Sequence, residues 1–306
     1  LMDLALPCLY YGVPLVSYRQ LKFDPEATFQ FIADLQIRNM FLPPTALKLM
    51  RSYHMTAERL PILSVRTIAS GGEALGSSLL GWARKVLKVE VNEIYGQTEC
   101  NLVICTDRSV EKIVPDGVMG KAVPGHKLCI LTPDGDEAEI GDVGEIAVQA
   151  PDPVMFLGYW NKPEDTKEKI KQGWLLTGDL GKQDENGFFS FVARDDDIIT
   201  SSGYRIGPTE IENCLMQHPS VSLAAVIGLP DPIRTETVTA CIVLTTGTGS
   251  DQLAENLKKL VREKLSAHLV PRQIIWRDGL PLTATGKIRR KALRESLLPE
   301  TDSSLD

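Results

Sequence analysis

The 306-residue sequence has no stretch approaching the roughly 20 continuous apolar residues needed to cross a bilayer. Its apolar opening has neither a basic leader nor a cleavage-like boundary, so no signal peptide is read there. Leu1 to Val16 instead reads as the middle of an apolar element. No CxxC pair occurs among Cys8, Cys100, Cys105, Cys129, Cys214 and Cys241, and His54, His126, His218 and His268 are scattered. That spacing argues against zinc and suits a reducing compartment, although an even cysteine number leaves disulfides open. A cytoplasmic location is expected. Positive charge is also in deficit: 33 Lys and Arg against 40 Asp and Glu give 33 − 40 = −7. Such a balance offers no general attraction to nucleic acid or an anionic membrane. Heptads, low-complexity tracts and internal repeats are missing too. With 43% hydrophobic and 24% charged residues, the chain is globular rather than disordered or fibrous.

What is present is an alternation of strand, glycine turn and helix. Residues 24–36 place Phe29, Ile32, Ala33 and Leu35 near one helical face, with Asp24 as cap and Pro25 at the first position. Residues 62–69 read as a buried strand running into Gly71-Gly72, and 75–87 as another helix. From Gly117 the pattern changes to short strands between turns, KLCIL and GEIAV among them, which favours a β-rich subdomain. Beyond ARDDDIITSS at 193–202, helices are expected at 208–217 and 251–265. Strands are expected in SLAAVIGL, TACIVLTT and QIIWRD. Leu253, Leu257, Val261 and Leu265 recur every fourth residue in the second helix, which makes it amphipathic. This closing order predicts a small α+β domain.

Several loops carry chemistry. Gly71 and Gly72 permit a backbone that a Cβ would hinder. They would border a base or phosphate, with Tyr95 stacking, Thr98 offering a hydroxyl and Glu99 an oxygen ligand for a hard cation. Two strand-end turns with Tyr95 in the core and Glu99 at the surface explain the same residues. Asp179 suits ribose hydroxyls and Arg194 suits ribose or phosphate oxygens, while turn capping and a surface ion pair compete with that reading. In SGYRIGPTEIE at 202–212, glycines frame Tyr204 and Arg205, which fits either an anionic ligand or a solvated helix cap. In LPLTATGKIRRKAL, Lys287 is one cation on a turn before a helix. It can neutralise oxygens that gain charge during reaction, or simply be solvated. Arg289, Arg290, Lys291 and Arg294 form a basic stripe too brief for nucleic acid in an acidic chain.

In order, PPTA (43–46), GGEAL (71–75), YGQTE (95–99), GYW (158–160), LLTGD (175–179), RDDDII (194–199), SGYRIGPTEIE (202–212) and TGK (285–287) resemble the motifs of adenylate-forming enzymes. The YGQTE and DDIITSSGYRIGP versions are most similar to medium-chain acyl-CoA synthetases. The resemblance implies an α/β fold. A partial large adenylate-forming domain would occupy 1–195, with a β-rich subdomain at about 117–193, and a small mobile α+β lid domain would occupy 196–306. The family's Ser, Thr and Gly-rich phosphate loop is expected to lie before Leu1. The chain thus reads as the carboxyl-terminal half or slightly more, too incomplete to finish the first half-reaction.

By the same resemblance Gly71, Gly72, Glu73 and Ala74 would line the adenine side, with Tyr95 beside the base and Gly96 and Gln97 in its motif. Thr98 would contact phosphate, Glu99 would hold magnesium, Asp179 the ribose hydroxyls, and Arg194 ribose or phosphate. Asp196 matches the hinge acid. Ser202, Gly203, Tyr204 and Arg205 match the coenzyme A region, and Arg234 its phosphorylated end. Lys287 matches the lysine that supports adenylate formation, and with Thr98 and Glu99 makes the catalytic set. Three positions depart from the pattern: Ala193 replaces a glycine, Leu282 a lysine, and Leu269 a lysine often near coenzyme A. The expected reaction joins a carboxylic acid to coenzyme A through an acyl-adenylate, using ATP and Mg2+ and leaving AMP. Nucleic acid and a membrane span are not expected, and self-association is left open. Loading of a carrier protein, or an inactive shortened interaction protein, are the alternatives. Cys8, Met40, Phe41 and Leu42 do not fix acyl length.

Overall fold

The computed structural model describes residues 2–18, 20, 23–56, 60–73, 75–111, 113–283 and 287–298. The chain divides into two compact units, Leu1–Phe191 and Val192–Asp306, whereas the sequence reading places the boundary at 195/196.

In the first unit helix α1 (Met2–Tyr11) is followed by α2 (Pro25–Asp34). Asp24 caps α2 by accepting from the Ala27 amide at 3.0 Å, and Pro25 stands where no amide hydrogen is needed. Strand β1 (Asn39–Phe41), helix α3 (Pro44–Thr56) and strand β2 (Thr67–Gly71) come next. Helix α4 (Ser77–Trp82) runs into a wider π turn at Ala83–Leu87. Strands β3 (Val91–Gln97), β4 (Asn101–Cys105) and β5 (Lys121–Ala122) complete a five-stranded sheet in the order β1-β2-β3-β4-β5. Its first three strands are parallel, as intervening helices require, and the last two antiparallel. The strand expected at 62–69 starts only at Thr67, because β1 has three residues and pairs with Thr67 to Ala69.

A second sheet holds β6 (Leu128–Leu131), β7 (Gly144–Gln149), β8 (Ile170–Lys171), β9 (Trp174–Gln183) and β10 (Phe189–Arg194), with α5 (Pro163–Lys169) before β8. The order is β10-β9-β7-β6, with β8 beside β9. Phe29, Ile32, Leu47, Met50, Ile68 and Leu79 pack into one core, and Ile104, Ile146, Val148, Leu175 and Phe189 into another. The two sheets and their helices close apolar faces on one another inside a single compact unit. Apolar side chains of α1 and its following segment, Leu9, Tyr10, Tyr11 and Tyr18 among them, are exposed.

The second unit opens on a 3-10 turn, Asp195–Asp197. It continues through β11 (Ile199–Ser201), β12 (Tyr204–Ile206), α6 (Pro208–Leu215), β13 (Val221–Asp231), β14 (Thr235–Leu244), α7 (Asp251–Lys264), β15 (Gln273–Trp276) and α8 (Arg290–Glu295). The sheet runs β12-β11-β14-β13, and β15 joins β14 in parallel. Ser250 caps α7 through the Leu253 amide at 3.2 Å, and Leu257 and Val261 enter the core with Ile211, Leu215 and Val226. No helix among the described residues is long and apolar enough to cross a membrane.

Candidate functional site

In the first unit the GGEAL and YGQTE segments end neighbouring strands. A Cβ on Gly71 would collide with the Ile94 carbonyl, so β2 and β3 approach closely only through glycine. Gly72 adopts φ +96°, a conformation other residues rarely take. Glu73 turns its carboxylate to the Thr45 hydroxyl at 3.2 Å and to Lys48 at 3.5 Å, and thereby ties this loop to the start of α3. Ala74, expected beside it, lies outside the described residues. At Gly96 an added Cβ would fall on the Asn101 carbonyl, because β3 turns directly into β4 there.

Tyr95 and Gln97 both reach Asp179. The Tyr95 hydroxyl donates to Asp179 Oδ2 at 2.8 Å, and the Gln97 amide reaches the same oxygen at 3.3 Å and the Thr177 carbonyl at 3.0 Å. Burial, followed by the nearby Asp179 charge, holds the Tyr95 phenol well above its usual range, so it stays a donor. The TGD turn is held from beneath. Gly178 donates to Glu145 at 2.7 Å and Thr177 donates to the Ile146 carbonyl at 2.7 Å. Glu145 lies in GEIAV, which reads as an ordinary strand.

Thr98 is exposed at the β3–β4 turn. Glu99 accepts from the Tyr159 hydroxyl at 2.6 Å, and its carbonyl accepts from Phe156 at 2.8 Å. Burial, then the bond to Glu99, pushes Tyr159 up to about 12. Tyr159 stands in the GYW motif, yet nothing in its spacing announces a partner 60 residues away. Among the described residues no group of three or more His, Cys, Asp or Glu forms a metal cluster. A lone carboxylate fits Mg2+, which is often bound by one or two carboxylates plus substrate phosphates and water. A cavity of about 550 Å³ lined by Lys121, His126, Lys127, Trp174 and Phe189 includes none of the predicted site residues.

The second unit collects the remainder. Arg194 pairs with Asp196 at 2.9 Å, and Arg205 with Asp195 at 2.8 Å, all four exposed. Ser202 (φ +52°) and Gly203 (φ +82°) form the tight turn between β11 and β12. The Ser202 amide donates to the Arg234 carbonyl at 3.0 Å, so the structure brings Arg234 to the Ser202–Arg205 turn. Arg234 lies 3.7 Å from Asp231. Tyr204 stacks on His268, with ring centroids 4.4 Å apart and planes 15° from parallel. Sequence reasoning missed His268. The neighbouring departure, Leu269, is buried in the core, which explains an apolar residue there. Lys287 is exposed, and beside it Leu282 forms an antiparallel bridge with Ile288. The Lys287 amide donates to Thr283 Oγ1 at 3.0 Å and its carbonyl accepts from Thr283 at 2.8 Å.

The AMP-binding enzyme family model matches residues 2–160, and the AMP-binding enzyme C-terminal domain matches residues 210–287. The chain belongs to the AMP-binding enzyme family. It is 35% identical over 288 residues to the acetyl-coenzyme A synthetase of Bacillus subtilis (strain 168), covering 92% of this chain and 50% of that protein. It is 35% identical over 280 residues to the mitochondrial acyl-coenzyme A synthetase ACSM2B of Homo sapiens, covering 90% and 48%. Its fold is similar to that of the anthranilate CoA ligase AuaEII in complex with anthranoyl-AMP. The TM-score there is 0.85 at 27% identity, over 93% of this chain and 55% of that one. ATP-bound MatB from Rhodopseudomonas palustris aligns with TM-score 0.78 at 28% identity, over 91% and 54%.

The chain spans about half the length of the curated relatives it matches. Both family models are nonetheless represented, in order. Against the expectation of a carboxyl-terminal portion with a partial large domain, the AMP-binding enzyme model itself is matched over residues 2–160, ahead of the C-terminal domain model over 210–287.

Proposed function

We propose that this chain serves an ATP-dependent acid–thiol ligase. A carboxylate oxygen attacks the α-phosphorus of ATP, forming an acyl-adenylate and releasing pyrophosphate. The sulfur of coenzyme A then attacks the acyl carbonyl, and AMP leaves with the bonding pair. Adenylation is needed because a bare carboxylate offers no adequate leaving group. The observation that carries the reading is the convergence of Tyr95 and Gln97 on Asp179. Two donors fix a carboxylate that would accept from ribose hydroxyls. The similar structures of the anthranilate CoA ligase with anthranoyl-AMP and of MatB with ATP support it.

Each remaining residue then takes a role. Gly71, Gly72 and Glu73 border the adenine, and Thr98 meets phosphate. Glu99, aimed by Tyr159, would hold Mg2+, which when bound offsets charge on the phosphate oxygens. Arg194 reaches ribose or phosphate. Lys287 supports adenylate formation as a mobile point charge. Ser202, Gly203, Tyr204, Arg205 and Arg234 receive the coenzyme. The stack of Tyr204 on His268 gives this surface an aromatic platform.

The test is product mass measurement on the protein expressed from its full reading frame, with ATP, magnesium, a graded series of carboxylic acids, and either coenzyme A or a phosphopantetheinylated carrier protein. Acyl-CoA and AMP are the expected products. Acyl transfer only to the carrier would redirect the second step. Absence of acid-dependent pyrophosphate exchange would refute the first.

A further inference from the structure

Arg290 belongs to the basic stripe after Lys287, and the reaction proposed above gives it no task. Its surroundings are those of a built junction. The side chain is 21% exposed and its guanidinium forks onto two carboxylates. Nη2 lies 2.7 Å from Glu212 Oε2 and 3.0 Å from Oε1, Nε lies 3.1 Å from Oε1, and Nη1 lies 3.0 Å from Asp197 Oδ2. Glu212 is itself buried and also accepts from the Val226 amide at 2.8 Å.

These partners come from three separate segments. Asp197 ends the 3-10 turn that holds Asp196 and that Arg194 precedes. Glu212 lies on α6, directly after the β11–β12 turn with Ser202 and Gly203. Arg290 begins α8, three residues after Lys287. Arg289 between them donates to the Pro281 carbonyl at 2.8 Å. One planar cation therefore fixes the chain next to Lys287 against the turn at 195–197 and against α6. A lysine could not reproduce this, since an ammonium has no fork to satisfy two carboxylates in fixed directions.

We propose that Arg290 is a positioning residue that aims Lys287 for adenylate formation through its bonds to Asp197 and Glu212. The proposal rests on the ligase reading, and its test separates the two. Single-turnover adenylation, followed by pyrophosphate release, is measured for wild type, Arg290→Lys, Lys287→Ala and the double variant, in the protein expressed from its full reading frame. A misplaced catalytic group costs roughly 10- to 100-fold. Arg290→Lys is expected to slow adenylation by that factor with the KM values for ATP and acid little changed. In the Lys287→Ala background it should add almost nothing, because the group it aims is gone. Equal slowing in both backgrounds would overturn the positioning role while leaving the ligase reading intact. Lys287→Ala without effect would remove the ligase reading at this residue, and the proposal with it. Should Arg290→Lys fail to fold, Asp197→Asn, which loosens one arm only, is put through the same cycle and must show the same non-additivity.

Discussion

Glu93 offers a direct test of the buried chemistry beneath the YGQTE strand. It lies on β3 and is 6% exposed. Its carboxyl accepts from the Leu75 amide, and its own amide donates to Thr106 Oγ1 at 2.7 Å. Burial raises its pKa from an ordinary 4.5 to about 8, and the opposing pull of the Leu75 amide and the Arg108 charge is too small to reverse this. Between those values the folded chain holds one proton that the unfolded chain has released. Unfolding free energy therefore falls as pH rises, by about 1.4 kcal/mol per pH unit from this group alone. The stabilising contribution is whole below pH 4.5 and is lost as pH climbs towards about 8. Glu93→Gln keeps an oxygen for Leu75 and removes the titration. Urea unfolding followed by tryptophan fluorescence at half-unit steps from pH 5 to 8 reads the difference (about six steps suffice). The stability of the variant relative to wild type should rise with pH at close to that slope, since histidines and exposed acids are common to both. Parallel curves would refute the reasoning, because they would mean that Glu93 is already ionised when folded.

Three further outcomes follow from the same structure. Lys287→Ala is expected to lower acid-dependent ATP–pyrophosphate exchange by on the order of 10² to 10³, and an unchanged rate with chemistry limiting would exclude it from adenylation. Gly203→Leu forces a branched side chain onto a φ of +82° at the β11–β12 turn and obstructs the coenzyme approach. Single-turnover thioester formation should fall more than adenylate formation, and equal losses would count against that division. Gly96→Ala drives a methyl into the Asn101 carbonyl, so the melting temperature should drop by the equivalent of about 1–3 kcal/mol. A wild-type melting curve would show that the β3–β4 turn relaxes without cost.

How much of this was legible beforehand depended on whether a residue acts through local pattern or through distant contact. The cap and first turn of α2 were readable because Asp24 and Pro25 sit next to the backbone groups they serve. The face of α7 was readable because its leucines repeat with the helix. Asp179 could be nominated from TGD, but not its bond to Tyr95, since the two are 84 positions apart and only the stacking of two sheets in one unit brings them together. Tyr159, Glu145 and His268 were overlooked for the same reason. Each looks like ordinary strand or loop until its partner is in place.

The cores were legible only in part, because Phe29, Leu47 and Ile68 meet in one cluster of Leu1–Phe191 and Ile146 and Phe189 in another, through partners that no local pattern names. Arg290 is the sharpest case. In the sequence it was one cation in a basic stripe too brief for nucleic acid. In the fold it is a half-enclosed fork between Asp197 and Glu212, and Lys287 beside it remains exposed. Within the run from Lys287 to Arg294, Arg290 and Arg294 are thus held by carboxylates while Lys287 is exposed. A reaction that needs one cation to arrive at a defined place can use that division, because the fixed charge limits where the free charge can go.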